Sequence, residues 1–127
     1  MTTLVTGGTG FVASNVVRVL AERGHEIVCF DLNPPSALLQ EYVRPWASSI
    51  TFNQGDILKQ EDLSELLNKG ITKVVHAAVF TGVLPEVEAG RSRSIVDINV
   101  MGTTNVLELA RQLPIERFLY VSSGSVY

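Results

Sequence analysis

Apolar positions along this chain follow two alternating rhythms. Short unbroken runs of strand formers stand around Leu4 and Val5 and over 26–31, 50–53, 72–79 and 117–121. Between them, apolar residues recur three or four apart, as on one face of a helix. The first such stretch carries Val12, Val16 and Leu20, with Ala13 and Val17 beside them, and Gly24 closes it. In the second, Ser36 can cap a segment bearing Leu38, Leu39, Tyr42, Val43 and Trp46, which Pro45 must interrupt or end. The third covers 60–69 with Leu63, Leu66 and Leu67 and ends at Gly70. The longest covers 92–113, where Ile95, Ile98, Val106, Leu109 and Leu113 keep one row that includes Gly102, and Pro114 stops it.

Strands that alternate with helices in this way are joined by right-handed crossovers and pair in parallel. The run 26–31 is apolar without alternation at its centre, as a strand covered on both faces requires. The prediction is an α/β fold: a Rossmann-type parallel sheet in the order 3-2-1-4-5, helices on both faces, ending after strand five. It forms one domain over residues 1–127, without repeat, linker or low-complexity tract.

The first strand runs into Thr6-Gly7-Gly8-Thr9-Gly10 and at once into a helix. Strand, glycine turn, helix is the layout of a phosphate site. Gly7 can take a turn closed to side chains, Gly10 lets a pyrophosphate approach, and the helix start offers unpaired N–H groups and a positive dipole end. The third glycine of the G-x-G-x-x-G pattern is here Ala13, small enough for close helix-to-strand packing.

Ligands of such a sheet bind at the switch point between strands 1 and 4, outside the carboxyl ends of the strands. The chemically distinctive residues all stand at such ends: Gly7, Asp31, Asp56, His76 to Ala78, and Ser122 with Ser123. Asp31 follows Gly7 by a strand-helix-strand interval, where a carboxylate accepts hydrogen bonds from a ribose and repels a 2′-phosphate; NAD is therefore expected over NADP. No Arg or Lys lies between Asp31 and Arg44 to welcome that phosphate. The competing reading makes Asp31 a cap of the next loop. Asp56 and Ile57 can hold an adenine or merely form a turn. His76, flanked by Val74, Val75, Ala77 and Ala78, reads as a packed, hydrogen-bonded strand-end histidine rather than a catalytic one. Asn99 can tie groups near the nicotinamide side. A hydroxyl at Ser122 or Ser123 can bond a substrate oxygen while a stronger group moves the proton.

Composition narrows the partners. The chain is 46% hydrophobic and 18% charged, enough apolar material for a packed core. Its net charge is −3 and its basic residues form no patch beyond Arg91 and Arg93, which read as a solvated helix start; neither nucleic acid nor an anionic membrane is expected as partner. The single cysteine, Cys29, lies in an apolar run and reads as a buried, inert thiol. No Cys/His cluster has metal-ligand spacing, and neither a signal segment nor a membrane span is present, so a cytoplasmic protein is expected. Gly-x-Ser-x-Gly is absent, which disfavours a serine hydrolase.

Six motifs in order carry a family resemblance: Thr6-Gly7-Gly8-Thr9-Gly10-Phe11-Val12, Asp31-Leu32-Asn33, Gly55-Asp56-Ile57, His76-Ala77-Ala78, Asn99-Val100-x-Gly102-Thr103-x-Asn105-Val106-Leu107 and Val121-Ser122-Ser123-Gly124-Ser125-Val126-Tyr127. Together they resemble the extended short-chain dehydrogenase/reductase family, which includes NAD-dependent nucleotide-sugar epimerases and dehydratases. The resemblance implies that Gly7, Gly10, Phe11 and Val12 hold the pyrophosphate, Asp31, with Leu32 and Asn33 beside it, the ribose, Asp56 and Ile57 the adenine, and Ala77 and Ala78 the ribose-nicotinamide stretch. Asn99 and Ser122 would stand on the cofactor side, and Ser123 would be the catalytic hydroxyl. It further implies hydride transfer to and from nicotinamide, with a nucleotide-sugar or related small molecule as substrate.

Family members move protons with a tyrosine and a lysine four residues later. Here Tyr42 and Tyr120 are followed at that distance by Trp46 and Gly124, and Tyr127 by nothing. The chain thus reads as the cofactor-binding, N-terminal part of an enzyme, inactive alone. A non-catalytic NAD-sensing module and a Rossmann-shaped scaffold are the rival readings, and the open edge of strand five could support self-association.

Overall fold

The structure, a computed structural model, describes residues 1–79 and 90–122, with Ser92 described by its backbone alone. Five parallel strands, β1 (Thr2–Thr6), β2 (Glu26–Asp31), β3 (Ile50–Gln54), β4 (Ile71–His76) and β5 (Arg117–Tyr120), form one sheet in the order β3-β2-β1-β4-β5. The order is the predicted one. Helices α1 (Phe11–Glu22) and α2 (Ala37–Val43) belong to one face; α3 (Gln60–Ser64), α4 (Ser92–Val96) and α5 (Thr103–Arg111) are the other α-helices among the described residues.

Period-two alternation along the strands divides the core into two layers. Leu4, Val28, Phe30 and Val74 pack with Ile57, Leu63, Leu66, Val106 and Leu109. Their neighbours Val5, Ile27, Cys29 and Val75 point the other way, against Ala13, Val17 and Ala21 of α1 and Leu39 and Val43 of α2. Both faces of β1, β2 and β4 are therefore covered, which is why those runs lack polar alternation.

Local signals placed most element ends correctly. Ser36 Oγ accepts the Leu39 amide at 3.1 Å and caps α2, which ends at Val43 just before Pro45; a 3₁₀ stretch (Arg44–Ser49) follows. Gly24 (φ +86°) and Gly70 (φ +71°) take the left-handed turns that close their segments.

Four expectations are corrected. The inward stripe of α1 is Ala13-Val17-Ala21, while Val12 is 59% exposed, because the smallest side chains let the helix approach the sheet closest. The helix expected over 60–69 is one α turn, α3, followed by a 3₁₀ turn (Glu65–Asn68), which still buries Leu63 and Leu66. Strand β4 ends at His76, because its partner β1 turns away at Gly7; β5, which pairs with β4, ends accordingly at Tyr120. The segment over 92–113 is interrupted by a π-helical stretch (Asp97–Gly102) between α4 and α5, which periodicity alone did not reveal.

At Gly7 (φ +68°) backbone packs directly against backbone: a side-chain carbon there would lie 2.8 Å from the backbone of Ala78. Gly24 has a comparable φ with nothing within 4 Å. Gly7→Ala is thus expected to lower unfolding free energy by about 2 kcal/mol or more, from left-handed strain plus overlap, and Gly24→Ala by about 1 kcal/mol from strain alone. Urea unfolding of the two variants measures the difference; equal losses would refute the close approach.

Candidate functional site

Beyond the carboxyl ends of the strands lies a crevice of about 900 Å³. It forms at the junction of the paired strands β1 and β4, where the crossovers after β1 and β3 leave the sheet in opposite directions. Every cofactor residue nominated from sequence lines it.

The glycine turn forms one wall. The Gly7 amide donates to the Phe30 carbonyl at 2.8 Å, and the Gly10 amide to the Gly7 carbonyl at 3.0 Å, which fixes the loop. Gly10 occupies the N-cap of α1 and gives no side-chain cap; the first turn, with Phe11 and Val12, carries no acidic residue. The helix start thus presents uncapped amides to the crevice, an anion site by construction. Cys29 packs beneath the loop, where a side chain on Gly8 would collide with its sulfur. Burial, aided by the charge of Asp31, pushes the Cys29 thiol up to about 12, so it is an inert packing group, as expected.

Asp31 ends β2 beside this turn. One carboxylate oxygen accepts the Thr9 amide at 3.1 Å and the other the Asn33 amide at 2.9 Å. The two bonds orient the carboxylate at the crevice wall, with Leu32 and Asn33 completing it. Asp31 thus shares one crevice with Gly10.

At the third strand end, Asp56 Oδ1 accepts the Leu58 amide at 2.9 Å in a turn, and Ile57 lies over the crevice with its side chain largely buried. The turn is real, yet both residues line the cavity, so the two alternative readings of this pair are compatible.

His76, 1% exposed, is a link in a polar chain. The Ala77 and Ala78 amides donate to Thr6 Oγ1 at 3.1 and 3.2 Å. Thr6 Oγ1 lies 2.6 Å from His76 Nδ1, His76 Nε2 lies 2.9 Å from Thr103 Oγ1, and the Thr103 hydroxyl donates to the Asn99 carbonyl at 2.7 Å. Since the Thr103 proton goes to that carbonyl, Nε2 carries the ring proton and Nδ1 accepts from Thr6. Neutral His76 satisfies every member. Burial lowers its pKa to about 4. The chain holds Ala77 and Ala78 on the crevice floor and ties them to the π turn that carries Asn99.

Asn99 and Ser122 also line the cavity, joined by Tyr120, 54% exposed. Ser123 lies outside the described residues. Sequence reasoning missed the Thr9 amide and the partners of His76, Thr6 and Thr103. A hydroxyl residue just before the glycine turn was the available signal for Thr6; nothing in sequence pairs Thr103 with His76.

Among the described residues, no group of three or more His, Cys, Asp or Glu is placed to hold a metal ion, and no helix is long and apolar enough to cross a membrane.

Uncapped helix amides, an oriented carboxylate and a cavity of cofactor size define a dinucleotide-binding α/β domain. Residues 3–127 match the NAD dependent epimerase/dehydratase family, and the chain belongs to that family, whose cofactor is NAD. The chain is 38% identical to a 3-beta-hydroxysteroid dehydrogenase of Mycolicibacterium neoaurum over 97% of its own length and 32% of that protein's. It is 32% identical to a UDP-glucose 4-epimerase of Klebsiella pneumoniae over 100% of this chain and 92% of the relative. Among solved structures, the UDP-glucose 4-epimerase of Brucella ovis in complex with NAD superimposes with a TM-score of 0.82 at 29% identity, covering 99% of this chain and 37% of that one. The chain thus spans about a third of the length of the dehydrogenase and of the Brucella enzyme.

Because folding lowers the His76 pKa from 6.5 to about 4, the unfolded chain binds its proton first. The contribution of neutral His76 is fully present above pH 6.5 and is lost as pH falls toward 4, on the order of 3 kcal/mol in all. Ring NMR should find His76 in the Nε2–H form and untitrated at pH 5.5; a transition near neutrality would contradict the buried chain.

Proposed function

We propose that this chain is the NAD-binding part of an enzyme that interconverts hydroxyl and keto groups on a nucleotide-sugar or a related small molecule, as an epimerase, dehydratase or reductase. The observation that carries this reading is the placement of the Asp31 carboxylate, held at 3.1 Å by the Thr9 amide, in one crevice with the uncapped start of α1. Family membership and the UDP-glucose 4-epimerases among the relatives support the reaction class and the nucleotide-sugar.

In this reading the amides of Phe11 and Val12 bind the diphosphate, with Gly7 and Gly10 permitting its approach. Asp31 accepts the hydroxyls of the adenosine ribose and its charge repels a 2′-phosphate, while Leu32 and Asn33 shape the rim. Asp56 and Ile57 hold the adenine. Ala77 and Ala78 leave room for the nicotinamide half, and Asn99 and Ser122 bound its far side. A bound NAD supplies a ring that accepts and returns a hydride. Ser123 orients the reacting oxygen of the substrate. A serine is too weak an acid to move the proton alone, and the chain holds no Tyr-x-x-x-Lys pair, so these residues by themselves are expected to bind NAD without turnover.

Calorimetry with NAD and NADP tests the assignment. NAD should bind more tightly than NADP, and Asp31→Ala should weaken NAD about ten- to a hundredfold, the loss of hydrogen bonds to a charged acceptor, while narrowing the preference. Equal affinity for the two cofactors, or an Asp31→Ala variant that binds NAD like wild type, would overturn it. In the whole protein, conversion of a UDP-sugar with NAD bound tests the substrate class, and no conversion across hexose and pentose nucleotides would exclude it.

A further inference from the structure

The loop that carries Asp56 and Ile57 is gripped from outside the crevice at three points. The Asp56 amide donates to Asp62 Oδ2 of α3 at 2.9 Å. The Asn105 carboxamide, from α5, donates through Nδ2 to the Ile57 carbonyl at 2.9 Å. Gly102, one helical turn before Asn105, lies so close to Ile57 that a side-chain carbon there would stand 2.8 Å from Ile57 Cγ1. Neither Asn105 nor Gly102 lines the crevice. The segment that contributes this grip also contributes Asn99 to the crevice, and through Thr103 it bonds His76 under Ala77 and Ala78.

The geometry points to Asn105 as a positioning residue that, with Gly102, sets the height of the Asp56–Ile57 loop and so the affinity for the adenosine half of the cofactor. The assignment rests on the NAD reading above. Ile57 lines the crevice, and its carbonyl accepts from Asn105 of α5, so that bond fixes how far its side chain projects. Gly102 packs against the same residue from its side-chain end: an added carbon there would displace the Ile57 side chain from its present place. One helical face thereby places the adenine wall and the Asn99 wall at a constant separation, as a ligand of fixed length requires.

The test uses two variants in the whole protein, Asn105→Leu and Gly102→Ala, and three probes: NAD, ADP and nicotinamide mononucleotide. Asn105→Leu should weaken NAD and ADP by the same factor, about three- to tenfold for one neutral hydrogen bond, and leave nicotinamide mononucleotide at its wild-type affinity. Gly102→Ala should weaken ADP likewise, and it decides the matter if Asn105→Leu does not fold. In the ligand-free protein, amide exchange at Leu58 should accelerate in Asn105→Leu; this readout concerns the grip alone and holds even if wild type binds neither NAD nor ADP, an outcome that would sink the NAD reading. Folded variants with unchanged ADP affinity, equal weakening of ADP and nicotinamide mononucleotide, or unchanged exchange at Leu58 would overturn the assignment.

Discussion

The backbone of Ala78 occupies the place that a side chain on Gly7 would need. This approach of the first strand's turn to the end of β4 is the constraint on which the crevice depends. It joins the two halves of the sheet where their crossovers diverge, and it sets Ala77 and Ala78 as the floor beside the start of α1. A residue with a Cβ at position 7 would move the floor and the anion site apart together.

From that point the site is assembled by backbone groups more than by side chains. The Thr9 amide turns the Asp31 carboxylate toward the glycine loop, and the Asn33 amide holds its other oxygen. Buried hydroxyls and one neutral imidazole hold the amides of Ala77 and Ala78. Such groups are positioned before a ligand arrives, so little ordering remains to oppose binding. The cost is a buried polar chain that tolerates one protonation state of His76 and no unsatisfied member.

Much of this was legible in sequence. Strand order followed from the alternation of apolar runs with helical stripes, because parallel strands joined by right-handed crossovers leave few arrangements. The crevice followed from noting which strand ends carry Gly7, Asp31, Asp56, Ala77 and Ser122, and each of these lines it. The parts that escaped share one cause: they depend on contacts between segments distant in sequence. The α1 stripe was read from the larger side chains Val12 and Val16, whereas close packing on the sheet selected Ala13 and Ala21. The π turn keeps Gly102, Val106 and Leu109 inward while placing Ile98 and Asn99 at the crevice, and a list of apolar positions cannot distinguish it from a regular helix. Asp62 and Asn105 bond backbone groups of the Asp56–Ile57 loop, and no local pattern announces a side chain that serves another segment's peptide.

Family membership and the shape of the crevice agree on a dinucleotide site. The most direct measurement is a crystal structure of the whole protein with NAD. The account predicts diphosphate oxygens within hydrogen-bonding distance of the Phe11 and Val12 amides, and both hydroxyls of the adenosine ribose on Asp31. A diphosphate bound away from the start of α1, or a ribose that leaves Asp31 without a ligand contact, would contradict it.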